Sequence, residues 1–335
     1  MVKVMAVYDR DPLYAKRLSE YINQKGSVPF RAMAFSSLER LIDYSGEQEI
    51  EILLVGEDSV QEVREVRAGL KMVLCGGEFV KEREEKSIYK YQSGDCIMRE
   101  VMACYCAEPV DRELAYFGRK ALILGVYSPV GRCGKTSFAL TLGQVLSGSF
   151  PTLFLSLEEF SGLSGLLGEE LPQNLSDVLY LYEQGELNGL KLRSMVGTRG
   201  GMDYLAPVKW GEDLSQTPAE DLAMMIGQIA GESGYERLVV DLGRACGGAA
   251  PLLDLCDVIY MPVREDPISV AKAAEFEDYL EFAQAQRVRE KIKRLHLPPF
   301  AGGRGSREYF DQLLWGELGD YVRALVGGGN ELERS

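Results

Sequence analysis

Residues 121–137, ALILGVYSPVGRCGKTS, are the stretch that decides the predicted fold. The stretch opens with an apolar run that is typical of a buried strand and continues into a turn with two closely spaced glycines. The residues that follow it, FALTLGQVL, have the pattern of an apolar helix. A glycine-containing turn between a strand and a helix is the setting in which backbone N–H groups and a helix N-terminus bind phosphate. The stretch therefore predicts a nucleotide-binding α/β unit.

Individual residues of this predicted phosphate loop have distinct chemistry. We expect Lys135 to reach the β- and γ-phosphates of a nucleotide and the hydroxyl of Thr136 to ligate Mg²⁺. The common motif has a glycine five residues before Gly134, where this chain has Pro129. A chance GKT sequence in a loop is the alternative. The residues predicted to contact the nucleotide form one run: Gly131, Arg132, Cys133, Gly134, Lys135, Thr136 and Ser137.

The composition excludes several classes of protein. The 335 residues include 37 basic and 51 acidic side chains, a net charge of −14, which disfavours nucleic acid as a partner. His296 is the only histidine, so a histidine-based triad is not expected. Seven irregularly spaced cysteines and no leader sequence indicate reduced thiols in the cytoplasm. No apolar run reaches the roughly 18–20 residues of a transmembrane helix.

The alternation of apolar runs and amphipathic stretches predicts an α/β fold class with two doubly wound parallel sheets. In the first hundred residues VKVMAVY and EIEILLVG are predicted strands, and SSLERLIDYS and VREVRAGL are predicted helical stretches. After residue 121 the predicted strands are ALILGVY, TLFLSL, MDYLAP, ERLVVDLG and DVIYMPV. The predicted domains are residues 1–107 and 120–326, with a linker at 108–119 and a frayed tail at 327–335.

The second unit resembles the MinD/ParA ATPases, whose deviant phosphate loop reads K-G-G-x-G-K-T-T. VGRCGKTS matches that loop at Gly131, Gly134, Lys135 and Thr136, while the signature lysine of the family falls on Val130 and its second glycine on Arg132. The resemblance implies that ATP and Mg²⁺ are the cofactors and that two copies form a nucleotide-dependent homodimer. In the family the signature lysine reaches the nucleotide of the other subunit, so its absence implies weak or absent hydrolysis.

The same resemblance assigns further site residues. TLFLSLEEFSG matches the family strand that carries D-x-D, which puts Ser156 and Glu158 on its two aspartates. RLVVDLG matches a later strand, so Asp241 would hold Mg²⁺ together with Thr136, and the N–H of Gly243 would face the γ-phosphate. The implied catalytic residues are Lys135, Glu158 and Asp241, and Asp266 is matched to the segment beside the nucleotide base. A role for Asp241 in capping the strand end is the alternative.

The first unit resembles a response-regulator receiver. Asp9 and Asp11 follow the first predicted strand, where receivers have Mg²⁺-binding acids, and Lys90 matches the receiver lysine. The position of the phospho-acceptor aspartate is Gly56. Aspartyl phosphorylation then has no nucleophile, and the unit is expected to serve in docking or dimerisation.

A degenerate receiver fused to a MinD/ParA ATPase is similar to the CpaE/TadZ arrangement. This resemblance implies a protein that positions the Tad-type pilus assembly and secretion machinery at the cell pole. The alternatives are a DNA-binding partitioning ATPase, a MinD-like ATPase in peripheral contact with a membrane, and a small-molecule kinase. For a DNA-binding ATPase, the basic cluster that could contact phosphate comprises Arg287, Arg289, Lys291, Lys293 and Arg294. For the second, the helical stretch from Phe310 to Leu325 is expected to pack on the core, because acidic side chains oppose its basic ones.

Overall fold

The structure is a computed structural model, and it describes residues 3–25, 29–77, 86–107, 120–167, 171–243, 250–299 and 306–327. The chain divides into two compact units, Met1–Tyr116 and Phe117–Ser335. The predicted linker at 108–119 lies outside the described residues, as does the predicted tail after residue 327. The predicted domain limits therefore stay a prediction.

The first unit is built on a five-stranded parallel sheet with the order β2-β1-β3-β4-β5. This is the flavodoxin-type strand order. Its elements are β1 (Lys3–Tyr8), α1 (Pro12–Lys25), β2 (Phe30–Phe35), α2 (Leu38–Glu47), β3 (Ile50–Gly56), β4 (Ala68–Cys75), β5 (Ser87–Tyr89) and α3 (Gly94–Cys106). Every residue of β3 is buried, as expected for a central strand that is covered on both faces.

The helix predicted for VREVRAGL is wrong. The segment forms turns, and β4 then begins at Ala68. Val63 and Val66 are buried, so the apolar spacing that resembled a helix places two side chains of these turns in the core. The ammonium group of Lys71 donates to the carbonyls of Val63 (3.1 Å) and Arg64 (3.0 Å), which satisfies groups that a longer helix would have paired internally.

The second unit contains a seven-stranded sheet with the order β12-β11-β6-β10-β7-β9-β8. Its strands are β6 (Leu122–Val126), β7 (Thr152–Ser156), β8 (Gly197–Arg199), β9 (Met202–Tyr204), β10 (Arg237–Asp241), β11 (Val258–Val263) and β12 (Ile292–His296). The predicted parallel sheet is confirmed except at one edge, where β8 runs antiparallel to β9. Gly200 and Gly201 join these two strands, and both have positive φ, as a tight hairpin of this kind requires.

Helices cover both faces of this sheet. They are α4 (Lys135–Ser147), α5 (Ser164–Leu167), α6 (Leu175–Glu183), α7 (Gly189–Met195), α8 (Gly211–Ser215), α9 (Ala219–Glu232), α10 (Ala250–Leu255), α11 (Pro267–Phe282), α12 (Gln286–Lys291), α13 (Ser306–Trp315) and α14 (Glu317–Gly327). Because strand side chains alternate between faces, Leu238 and Val240 enter one core and Val239 the other. Helices α9 and α11 pack in the first core, and α4, α13 and α14 in the second.

A buried ion pair joins α7 to β9 in the second unit. The guanidinium of Arg193 donates to Asp203 Oδ2 at 3.2 Å, and both side chains are almost fully buried. Asp203 also accepts hydrogen bonds from Tyr235 (2.8 Å) and Thr198 (2.6 Å), and Arg193 lies 3.6 Å from the centre of the Tyr235 ring. Burying a charge is costly unless it is paired and hydrogen-bonded, and here the carboxylate of Asp203 and the two terminal nitrogens of Arg193 have such partners.

The end of the chain contains one strand that the sequence did not predict and confirms one expectation. Lys293 and Arg294 of the basic cluster lie in the edge strand β12, in which Leu295 is buried. The last helical stretch is two helices separated at Gly316, and their side chains Phe310, Leu313 and Val322 lie in the core, as expected. Among the described residues, no helix combines the length and the apolar character that crossing a bilayer demands.

Candidate nucleotide-binding site

The predicted phosphate loop connects the inner strand β6 to the N-terminus of α4. Gly134 immediately precedes the helix and has φ of +84°, a left-handed conformation that glycine adopts at no steric cost. Two side chains hold the loop in place. Ser128 Oγ donates to the Pro262 carbonyl (2.6 Å) and accepts from the Val130 N–H (3.1 Å), and the thiol of Cys133 donates to the Val130 carbonyl (3.2 Å).

Lys135 is the first residue of α4, and its ammonium group is fully paired within the chain. It donates to Glu158 Oε1 (2.5 Å), to Asp241 Oδ1 (2.8 Å) and to the Leu242 carbonyl (2.7 Å). Burial lowers the pKa of Lys135, but the charges and hydrogen bonds of Asp241 and Glu158 outweigh burial, so the pKa lies above its ordinary value. The lysine is therefore a stable cation that two carboxylates hold at the phosphate loop.

Thr136 and Asp241 bring two oxygen donors together beside this cation. Thr136 Oγ1 donates to Asp241 Oδ2 at 2.7 Å, and Asp241 is completely buried at the end of β10. Burial raises the pKa of Asp241, and the adjacent Lys135 and Thr136 counteract that rise. Hydroxyl and carboxylate oxygens are the ligands that Mg²⁺ prefers, so this donor set fits the ion. The role of Asp241 in holding the metal stays a prediction.

The sheet register explains why these residues meet. Asp241 of β10 is paired with Val126 of β6 on one side and with Ser156 of β7 on the other, so the ends of three parallel strands lie side by side. The chain leaves β7 through Ser156, which is buried, and reaches Glu158 two residues later. The carboxyl ends of parallel strands are where α/β sheets bind ligands.

Gly243 lies at the tightest approach in this region. A Cβ atom at this position would be 2.1 Å from the Leu157 carbonyl oxygen and 3.0 Å from the Cα of Glu158. Only glycine allows the chain after β10 to pass this close to the chain after β7. The residue predicted to face the γ-phosphate therefore also allows the segment after Asp241 to lie against the backbone of Leu157 and Glu158.

The remaining predicted residues are more dispersed. Arg132 is exposed on the loop with φ of +57°, and Gly131 is exposed beside it. Asp266 caps α11, accepting hydrogen bonds from the Ser269 N–H (3.1 Å) and hydroxyl (2.6 Å), and these bonds lower its pKa. Its predicted contact with the nucleotide base stays a prediction.

Sequence reasoning missed three groups of this site. Ser128 holds the loop, and the Leu242 carbonyl accepts from Lys135. The Tyr309 hydroxyl forms a 2.7 Å hydrogen bond with Ser137 Oγ, which ties α13 to the start of α4. Tyr309 is far from the loop in sequence and has no local pattern that identifies it. Ser128, which stands directly before Pro129, had a usable signal as a loop-forming hydroxyl residue.

The first unit has its own polar cluster at the ends of β1 and β3. Lys90 Nζ lies 2.7 Å from Oδ2 of Asp9, and both side chains are largely buried. A Cβ atom on Gly56 would be 2.7 Å from that same Asp9 oxygen. Asp11 accepts from the N–H groups of Leu13 (2.9 Å) and Tyr14 (3.2 Å) at the start of α1. Asp9 therefore fills the space that a side chain at position 56 would need.

We expect no aspartyl phosphate on the first unit, because Gly56 offers no carboxylate and Asp9 is engaged by Lys90. Incubation of the full chain with acetyl phosphate and Mg²⁺, followed by intact-mass measurement, tests this. The expected mass is unchanged. A gain of one phosphate that hydroxylamine removes would show the interpretation to be wrong, and a competent receiver protein in the same assay serves as the positive control.

The basic cluster near β12 is largely neutralised within the chain. Arg294 pairs with Glu277, Arg289 lies 3.3 Å from Glu281, and Lys291 donates to the Asp254 carbonyl at 2.6 Å. These three cations therefore already have partners within the chain.

Comparisons with known proteins find similar solved structures. No protein-family model matches the chain, and no curated protein matches it. A ParA family ATPase from Chlorobium tepidum is 15% identical with a TM-score of 0.48, covering 61% of this chain and 97% of that one. A complex of McdA with ATP from Cyanothece is 14% identical with a TM-score of 0.42, covering 59% and 79%. Cobyrinic acid a,c-diamide synthase from Mycobacterium smegmatis, with a bound ATP analog and magnesium, is 18% identical with a TM-score of 0.41, covering 58% and 78%.

Proposed function

We propose that the second unit binds ATP with Mg²⁺ at residues 131–137 and that the protein is a nucleotide-dependent, dimerising ATPase-like protein. The observation that carries this proposal is the convergence of Lys135, Thr136 and Asp241 at the start of α4. Calorimetric titration with ATP, with and without Mg²⁺, tests it. We expect one nucleotide per chain and weaker binding when EDTA removes the metal. The absence of any binding heat across several temperatures would contradict the proposal.

Each part of the site has a separate task in this proposal. The N–H groups of residues 131–134 and the N-terminus of α4 would bind phosphate oxygens. Thr136 and Asp241 would hold Mg²⁺, which when bound neutralises charge on the β- and γ-phosphates. To contact phosphate, the Lys135 ammonium must exchange at least one of its present acceptors for a phosphate oxygen. Glu158 is the acceptor best placed for that exchange, because its side chain is 30% exposed while Asp241 is fully buried.

We expect Glu158→Gln to tighten ATP binding about threefold to tenfold and to lower hydrolysis. The variant removes a charge that competes with phosphate for Lys135, and charge-assisted hydrogen bonds are about twice as strong as neutral ones. It also removes the carboxylate proposed to position water or accept a proton. Affinity by calorimetry and phosphate release on the same preparation test both parts. Glu159→Gln at the neighbouring residue is the matched control, and weaker ATP binding in Glu158→Gln would contradict the competition.

We propose that two copies dimerise through the phosphate-loop edge with slow hydrolysis. Val130 is buried and cannot supply a cation to a second subunit, whereas Arg132 is exposed on the loop. Two aromatic side chains nearby also support a contact surface. Phe160, just after Glu158, is 88% exposed, and Trp210 is 71% exposed next to Gly211, which lies against Glu159.

We expect light scattering to show an ATP-dependent dimer and a phosphate-release assay to show slow turnover, because a missing cation of this kind costs about 10³–10⁵ in rate. Arg132→Ala should weaken the ATP-dependent dimer, since it removes the exposed charge of the loop. Arg287→Ala, which removes an exposed arginine on α12 of the same unit, is the control. A chain that stays monomeric with saturating ATP, or one that turns over as fast as an ordinary P-loop ATPase, would contradict this expectation.

For the cellular role, we propose that the protein positions a Tad-type pilus assembly and secretion machinery, with the first unit as the docking module. The pairing of a phosphate-loop unit with a flavodoxin-type unit that lacks a phospho-acceptor supports this role. A fluorescent fusion of this protein in pilus-forming cells is expected at the cell pole. Deletion of the gene for this protein should disperse the pilus machinery. Two further assays test the alternatives. A partitioning ATPase would retain DNA in a filter-binding assay, and a membrane-cycling ATPase would sediment with anionic vesicles.

A further inference from the structure

Helix α11 has a second apolar face that points away from the core. Its inner face, with Ala273, Phe276 and Leu280, is buried, as expected for a helix that covers the sheet. On the outside, however, Ile268 is 67% exposed, Tyr279 52% and Phe282 89%. A surface helix ordinarily turns a polar face to water, and exposed apolar side chains that line up in one stripe indicate an interaction site.

The outer stripe is arranged symmetrically along the helix around Glu275. Ile268 and Phe282 lie seven residues before and after it, Ala271 and Tyr279 four residues, and Lys272 and Asp278 three residues. Intervals of three, four and seven residues place side chains on one face of a helix. We define the α11 stripe as these seven residues, all of them exposed: Ile268, Ala271, Lys272, Glu275, Asp278, Tyr279 and Phe282.

This symmetry has a direct physical consequence. In a two-fold dimer the same patch is used on both copies, so residue i contacts residue j and residue j contacts residue i. If two α11 helices pack antiparallel with the axis at Glu275, each Lys272 meets an Asp278, each Ile268 meets a Phe282, and each Ala271 meets a Tyr279. Both opposite charges and large apolar groups are then matched, and the small Ala271 leaves room for the tyrosine ring.

We propose that the α11 stripe is a self-association surface on which a second copy of this chain docks without nucleotide. Other acidic residues of α11 are already engaged, Glu277 by Arg294 and Glu281 by Arg289, which leaves Lys272 and Asp278 as the charges of the stripe that can pair between copies. A membrane is the less suitable occupant, because such a helix would have Lys and Arg beside its apolar face, whereas this one has Glu275 and Asp278.

The surface predicts a dissociable dimer. A helix of 16 residues is about 24 Å long, so the contact lies at the small end of specific interfaces. The two Glu275 side chains also face each other at the axis, and like charges in an interface weaken it. We therefore expect association of the nucleotide-free chain in the range of about 1–100 μM.

Charge exchange tests the proposal in sedimentation-velocity runs on the full chain without nucleotide. Lys272→Glu and Asp278→Lys should each weaken the dimer at least about tenfold, because each places two like-charged pairs across the axis. The double variant Lys272→Glu/Asp278→Lys should restore it, since every pair is again opposite in charge. Glu275→Gln should tighten it about threefold to tenfold, which a general loss of folding could not produce.

Three outcomes would overturn the proposal. The first is a wild-type chain that is monomeric without nucleotide at 200 μM, roughly twice the weakest expected dissociation constant. The second is a double variant that dimerises as weakly as the single variants. The third is a wild-type chain that binds anionic vesicles and forms no dimer in solution. ATP affinity measured on the same variants is expected to be unchanged. The failure of this surface is thereby distinguishable from a failure of the proposed nucleotide site, which concerns other residues.

Discussion

Lys135→Ala is expected to abolish measurable ATP binding. In the proposed complex the ammonium group would contact phosphate oxygens in a partly buried site, and removing one partner of such a pair costs about 2–5 kcal/mol, or about 30-fold to several thousandfold in affinity. Calorimetry against ATP with Mg²⁺ measures this directly. Lys191→Ala is the matched control, because Lys191 also pairs with a carboxylate, Glu186, but at the surface. Wild-type affinity in Lys135→Ala would overturn the site assignment.

A second variant separates binding from folding in this experiment. Lys135→Ala leaves the fully buried Asp241 without its cation, and an unpaired buried charge is itself destabilising. Lys135→Ala/Asp241→Asn removes that charge, so we expect its unfolding midpoint to recover towards the wild-type value. ATP binding should remain absent in the double variant. Recovery of ATP binding together with stability would show that Lys135 has only a structural role.

Asp203→Ala is expected to lower the free energy of unfolding of the second unit by about 3–5 kcal/mol. The change leaves Arg193 charged and buried without its carboxylate, and it removes the acceptor of the Tyr235 and Thr198 hydroxyls. Because the cluster connects α7, β9 and the chain before β10, the loss affects several elements together. Guanidinium unfolding followed by circular dichroism measures the change, with the two units fitted as separate transitions.

The control for this prediction is Glu186→Ala at the exposed Lys191–Glu186 pair. A surface ion pair contributes about 0–1 kcal/mol, so this variant should unfold almost as the wild type does. Similar small losses for Asp203→Ala and Glu186→Ala would mean that the buried cluster contributes no more than a surface pair. The triple change Arg193→Met/Asp203→Leu/Tyr235→Phe should recover much of the loss, because it leaves no buried charge in this cluster.

The sequence predicted the fold of the second unit well because its signals are local. The apolar run before the phosphate loop, the glycines in the loop and the helix after it are contiguous, and the structure has β6, the loop and α4 in that order. Asp241 was found because it directly ends an apolar strand. The parallel sheet then brings that strand end to Ser156 and Val126, as a parallel register requires.

The misses have a common cause, which is that their signals depend on distant partners. VREVRAGL has a helical spacing, yet Lys71 and the core that contains Leu53 and Val55 of β3 hold it in turns. Basic side chains conceal β12, whose place at the edge of the sheet is apparent only from its pairing with β11. Tyr309 reaches Ser137 through a contact between helices that are remote in sequence. The engagement of Lys135 by Glu158 likewise depends on how two loops pass each other at Gly243.

The left-handed backbone at Arg132 links stability and function in a single residue. A residue with a Cβ atom costs about 1–2 kcal/mol in this conformation, and a glycine, which the resembling loops have here, would not incur that cost. Replacing Arg132 with glycine would therefore stabilise the isolated unit while deleting the exposed charge that the proposed dimer would use. If that dimer forms, selection for a more stable chain and selection for dimerisation act in opposite directions at this position, a trade-off of the kind expected where a binding site is also a site of strain.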